Sequence, residues 1–127
     1  MPSIEMKKWR INSLHFDVES LEKGANELQL NFSFSTMLSK DVDTKDGHVQ
    51  IEFVAKTKND KIFTKVILDA VFSFLENGLA PEEKDAVLGR EGFPEAYEKM
   101  RSFLKDFMDY AQAKRLSLPE YSEFNSH

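Results

Sequence analysis

The chain contains no cysteine, which removes disulfides, thiolate nucleophiles and cysteine-bound zinc at one stroke. Glycine is scarce too, with five dispersed copies and no cluster that could cradle a phosphate. Three histidines, His15, His48 and His127, are scattered along the sequence, and neither an H-x-x-x-H spacing nor a carboxylate partner supports a metal site. No G-x-S-x-G elbow occurs, and no serine sits in an activating context. Positive charge is in deficit: 17 Lys and Arg against 22 Asp and Glu give a net charge of −5, the wrong sign for a nucleic-acid footprint. Long apolar runs are missing as well. The most apolar stretch, KVILDAVFSFLENGLA, is broken by Asp69 and Glu76 and is shorter than the ~20 apolar residues that span a bilayer. The opening MPSIEMKKWRINSL lacks the apolar centre of a secretory signal. Together these absences lead us to expect a cytoplasmic, non-enzymatic protein without cofactor or metal, without nucleic acid and without membrane insertion.

What is present is periodicity. With 127 residues, 41% hydrophobic and 31% charged, the chain is expected to form one domain over residues 1–127. ELQLNFSFS alternates strictly, placing Leu28, Leu30, Phe32 and Phe34 on one face of a half-buried strand. Before it, Trp9 and Ile11 share one phase while Leu14, Phe16 and Val18 share the other, so a bulge near Asn12–Ser13 is required. HVQIEFVAK aligns Val49, Ile51, Phe53 and Ala55. The short polar link KNDK then joins it to IFTKVILDAVFSF as an antiparallel hairpin. In that last strand the even positions Ile62, Val66, Leu68, Ala70, Phe72 and Phe74 form a core row. Phe63, Ile67 and Val71 fall on the opposite face, and a strand apolar on both faces expects cover on both. Strands are therefore expected at about 6–19, 27–38, 48–57 and 61–75.

Helical signals follow. Pro81 opens a short helix, about 81–88, with acids in its first turn and Gly89 at its end. Pro94 opens a longer one, about 94–114 and ~30 Å long at 1.5 Å per residue. Tyr97, Met100, Leu104 and Phe107 recur at steps of three and four as a sheet-sealing row, while Ala96, Phe103 and Tyr110 add a flanking row. Residues 115–127 are expected to be extended. The whole is an α+β domain: a four-stranded antiparallel sheet followed by a short and a long helix packed on one face.

Two features invite a functional reading and lose to a plainer one. DVDTKDGHVQIE begins Asp-x-Asp and ends in Glu at its twelfth position, as a calcium loop does. Its fifth position is Lys45 and its glycine, Gly47, comes one place late, so a solvated loop closed by Asp46–Gly47 fits better. Glu82, Glu83, Asp85, Glu91, Glu95 and Glu98 surround the helix starts and read as dipole-complementing acids more readily than as a docking patch.

The region GFPEAYEKMRSFLKDFMDYAQAKRLSLPEYSEF resembles the bacterial export chaperone SecB. The likeness is carried by Phe93–Pro94 and Ala96 at a helix start, an amphipathic helix, and the following LSLP, with AVFSF upstream at the end of the last strand. The order of four strands and then helix is that of the family. The resemblance implies a holdase that binds unfolded polypeptide in apolar grooves without ATP. It also implies a homo-oligomer, dimer or tetramer, with the long helix at the interface. On that basis Trp9, Phe63, Ile67 and Val71 are expected to bind clients, and Phe93, Phe103 and Tyr110 to meet another subunit. A module dedicated to one partner, such as an antitoxin-type chaperone or an adaptor, uses the same faces and stays open. Departures bear on the family's link to SecA: His15 and Glu19 replace an Asp–Glu pair, and Lys56 and Lys58 stand where apolar and acidic groups are usual. Reversed charge at a docking patch weakens it, so SecA docking is not expected. The second long helix of typical members has no counterpart before His127, and an open, shallower groove is the expectation for an outlying branch of the family.

Overall fold

The computed structural model describes residues 3–17, 28–38, 45–57, 62–110 and 119–121, the side chains of Leu28, Thr57 and Tyr110 excepted. The expected turn at 58–61, most of the acidic loop at 41–44, and the bulk of the extended tail lie outside the described residues, as do Val18, Glu19 and Lys58.

Four strands, β1 (Ile4–Phe16), β2 (Leu28–Leu38), β3 (Asp46–Thr57) and β4 (Ile62–Phe74), make one antiparallel sheet in the order β1-β4-β3-β2. Alternation decides the burial. Val49, Ile51, Phe53 and Ala55 of β3 and Val66, Leu68, Ala70 and Phe72 of β4 are fully buried on one face. That face is covered by α1 (Pro81–Val87) and α2 (Phe93–Tyr110). Between them, Leu88–Gly92 continues as a single π-helical turn, so Gly89 does not end the first helix as its position in the sequence suggests.

The two central strands carry the core because they have neighbours on both edges and helix above. β1 and β2 are edges, and apart from buried Ile4 their inward residues among those described are only partly covered. Two glycines mark close approaches. A Cβ on Gly92 would lie 3.1 Å from Val49 and 3.4 Å from Phe72, so glycine lets the π turn settle directly on the sheet. One on Gly47 would lie 2.7 Å from Leu88. Asp46–Gly47 is accordingly the first pair of β3 and not a loop-closing turn, a correction that follows from Leu88 packing on the glycine.

Bulges correct the faces of several side chains. β1 carries one at Lys7 and another at Asn12, the latter where the phase change demands it. With both in place, Trp9 and Ile11 between them and Leu14 and Phe16 beyond the second pair with Ala70, Leu68, Val66 and Thr64, all residues of the helix-covered face. A third irregularity lies in β4. Lys56 pairs with Ile62 and Ala55 with Thr64, leaving Phe63 as the extra residue. This turns Phe63 into the core, fully buried, and turns Ile62 outward. The expected placement of Phe63 beside Ile67 and Val71, and of Ile62 in the core row, is therefore wrong. Strict parity fails at a bulge.

Candidate functional site

Ile67 and Val71 do stand on the uncovered face, each half-buried, but polar groups surround them. Their pairing neighbours are Ser13 and Glu52, and Lys8 and His48. Between them Asp69 accepts a hydrogen bond from the Gln50 amide at 3.0 Å and faces Arg10 at 3.9 Å, while Lys65 faces Glu52 at 3.8 Å. The surface around these two side chains is polar and charged. The four expected client-binding residues are thus split three ways: Phe63 in the core, Ile67 and Val71 outside, and Trp9 on the helix side.

Among the described residues, large exposed hydrophobics lie on both faces: Met37 and Ile62 on the outer one, Leu75 just past β4, and Trp9 and Leu14 on the helix-covered face, whose β2 edge adds half-buried aromatics. At the β1 edge Trp9 is 38% and Leu14 39% exposed, where α2, which packs mainly on β3 and β4, reaches β1 through Phe107 against Phe16. Phe16 continues this row and meets Phe107 edge-on at 4.9 Å; Phe107 in turn stacks on Phe103 at 5.9 Å. Phe107, expected among the sheet-sealing residues, therefore belongs with Phe103 in a half-buried flanking row, and Met108 and Ala96 take places in the buried stripe with Tyr97, Met100 and Leu104. Tyr110 ends α2, and its side chain lies outside the described residues.

The β2 edge is aromatic. Phe32 and Phe34 project toward the start of α2, as their alternation requires, and stack on one another at 6.5 Å. Phe32 packs on Phe53 at 4.9 Å and edge-on to Tyr97 at 5.6 Å; Phe34 packs on Phe93 at 5.2 Å. Phe93 thus faces its own sheet. Over the cluster lies Pro119–Tyr121. Tyr121 meets Phe34 edge-on at 5.8 Å and Tyr97 at 6.0 Å, and the Tyr97 hydroxyl donates to the Pro119 carbonyl at 2.7 Å. Such ring pairs contribute about 0.5–1.5 kcal/mol each beyond the area they bury.

Electrostatics around the helices is structural. Glu91 accepts a hydrogen bond from the Ser3 amide at 2.8 Å, which holds its carboxyl below the ordinary carboxylate range, with Arg90 adding to the effect. The bond ties the start of β1 to the π turn. Asp85 accepts from the Thr36 hydroxyl, joining α1 to β2. Among the described residues no group of three His, Asp or Glu could hold a metal ion, and no helix is long and apolar enough to cross a membrane.

A four-stranded antiparallel sheet in this order, with a long helix laid on one face, defines a two-layer α+β class. The particular fold is SecB-like. A SecB-like chaperone of Mycobacterium tuberculosis, solved in complex with a ChAD peptide from the HigA1 antitoxin, superimposes with a TM-score of 0.70 over 92% of this chain and 86% of that one, at 16% identity. A protein of unknown function from Streptococcus agalactiae matches 93% of this chain and 97% of its own at a TM-score of 0.46 and 11% identity. No family model and no curated protein matches the sequence. At 16% identity the likeness speaks for the fold.

Sequence reading missed the β2-edge aromatic site as a site. The alternation in ELQLNFSFS does place Phe32 and Phe34 together, but a row of that kind is ordinary core in most sheets. Tyr121 lies in a segment with no periodicity, so nothing local tied it to Phe34.

Proposed function

We propose that this chain is a non-enzymatic, SecB-like holdase that binds unfolded polypeptide segments on the helix-covered face of its sheet. The observation that carries the reading is the half-buried aromatic surface of Phe32, Phe34 and Phe93 at the β2 edge, with Tyr97 supplying a hydroxyl to a backbone carbonyl. Rings give sequence-tolerant contact, and a hydroxyl aimed at a carbonyl recognises a group that every polypeptide carries. The β1 edge has a different role in this proposal. Trp9, Ile11, Leu14 and Phe16, with Phe103 and Phe107, form a row that a second copy covers, making a homodimer or a dimer of dimers. Leaving Trp9 and Leu14 at their present exposure forgoes part of the roughly 1.5–3 kcal/mol that full burial of each contributes. The protein acts in the bacterial cytoplasm in this reading, and docking on SecA is not part of it, because His15 and Lys56 stand where the family's docking patches are acidic or apolar.

The test is suppression of aggregation. A chemically denatured client diluted into a molar equivalent of the chain, without ATP, is expected to scatter less light and to remain bound in a mixed complex. Unchanged scattering together with no complex would refute the reading. The M. tuberculosis neighbour's antitoxin peptide favours a second reading, a chaperone dedicated to one partner. Affinity capture from lysate separates the two: a broad set of unfolded proteins supports the holdase, and one co-eluting protein at stoichiometric yield supports the dedicated chaperone.

A further inference from the structure

We propose that Pro119–Tyr121 is a displaceable internal ligand of the Phe34–Tyr97 site, and that its contacts show what the site takes from another chain. The ligand class is an extended polypeptide presenting a backbone carbonyl and, two residues later, an aromatic side chain. The proposal rests on the polypeptide-binding reading above and adds a pattern and a means of control to it.

The contacts are those of a bound peptide. The Tyr97 hydroxyl reaches the Pro119 carbonyl at 2.7 Å, and the ring of Tyr121, two residues on, is held between Phe34 and Tyr97 at 5.8 and 6.0 Å. Nothing in the first contact depends on proline, since any residue offers a carbonyl. The second needs a ring, because only a flat aromatic meets Phe34 edge-on at 90°. Glu120, between the two, is exposed and among the described residues is met only by the charge of Arg101 on α2, so the middle position of the pattern carries no shape requirement.

The receptor half is built from elements that do not depend on the ligand half. Phe32 and Phe34 belong to β2, whose pairing with β3 runs unbroken from Leu28 to Leu38. Phe93 and Tyr97 belong to the first turns of α2, anchored beneath by buried Ala96 and Met100. Removing Tyr121 therefore uncovers the site without dismantling it. The hydrogen bond and ring contacts described fasten a three-residue segment, and a difference of a few kcal/mol between docked and undocked forms leaves an undocked minority of about 0.1–10%. A ligand that needs the undocked form has its affinity reduced by that fraction. The latch thus sets a threshold, and a segment with the right carbonyl–ring spacing crosses it.

The experiment titrates a fluorescein-labelled, reduced and carboxymethylated, permanently unfolded protein against the full chain and its Tyr121→Ala and Tyr121→Phe variants. Urea unfolding of each shows that it is folded. Tyr121→Ala is expected to bind about tenfold or more tightly than the unmodified chain, as the competent fraction approaches one, and Tyr121→Phe to bind like the unmodified chain. A folded Tyr121→Ala variant with unchanged or weaker affinity overturns the proposal. A second measurement needs no variant: in the chain labelled with fluorotyrosine, saturating unfolded protein is expected to move the Tyr121 resonance to its position in a short free peptide. If the unfolded protein binds while that resonance stays in place, displacement is refuted and polypeptide binding stands. If neither the unmodified chain nor any variant binds, both readings fall.

Discussion

Phe63→Ala separates the placement given by β-strand parity from the placement given by the bulge. On an outer face, beside half-buried Val71, truncating an aromatic would remove contact area and little stability. In the structure Phe63 is fully buried, with its ring 5.2 Å from Phe16, which itself packs on Phe107. Its removal opens a ring-sized void bounded by β1, β4 and α2. Buried Phe→Ala changes cost about 3–5 kcal/mol, combining lost transfer energy with a cavity that neighbours fill incompletely. With an unfolding slope of about 2 kcal/mol per molar urea, the midpoint is expected to fall by roughly 2 M. That is a large part of the ~5–15 kcal/mol stability of an ordinary domain. Val71→Ala is the comparator. Removing two carbons that are half in water at about 0.8 kcal/mol per buried methylene predicts a loss near 1 kcal/mol. Equilibrium urea unfolding of both variants, followed by circular dichroism, decides the matter. A Phe63→Ala midpoint no lower than that of Val71→Ala would refute the bulge-directed core placement.

Three further outcomes follow from the same structure. Thr64 is fully buried and its hydroxyl finds no partner among the described residues; Thr64→Val should raise stability by about 1–2 kcal/mol, since the desolvation cost of an unpaired hydroxyl disappears, and a loss in the same urea assay would contradict it. Glu91 has a lowered folded pKa, so its bond to the Ser3 amide stabilises above the ordinary glutamate value of 4.5 and fades as pH falls through the lowered one. Glu91→Gln should therefore be less stable than the unmodified chain at pH 7 and lose less on acidification below pH 4.5; parallel stability–pH curves would contradict this. Finally, the double change Trp9→Ser with Leu14→Glu should lower the native mass measured by light scattering while leaving circular dichroism intact, and an unchanged mass would remove the β1 edge from the assembly.

Much of the fold was legible because its rules are local. Alternation in β2 and β3 and the stripe at Tyr97, Met100 and Leu104 follow directly from periods of 2 and 3.6. Even the Asn12 bulge announced itself, because apolar residues changed phase across it. The bulge at Phe63 did not, since Phe63, Ile67 and Val71 stay in phase with one another and a strand apolar on both faces hides a slip. That concealment misplaced Phe63 and Ile62 together. The break at Gly89 also misled: glycine after a short helix usually marks an end, whereas here the π turn carries the chain onward to a Gly92 pressed against Val49. The site was the least legible part. Phe34 and Tyr121 are 87 positions apart in sequence, and no local pattern tied one to the other.

Hydrogen–deuterium exchange on the chain, free and saturated with an unfolded polypeptide, addresses the central claim most directly. Binding at the β2-edge aromatic surface predicts added protection along Leu28–Leu38 and in the first turns of α2 around Phe93–Tyr97, with β1 and β4 amides near Lys8, Arg10 and Val71 unchanged. Protection confined to those β1 and β4 amides, or none at saturation, would place clients on the charged face or nowhere and contradict the account.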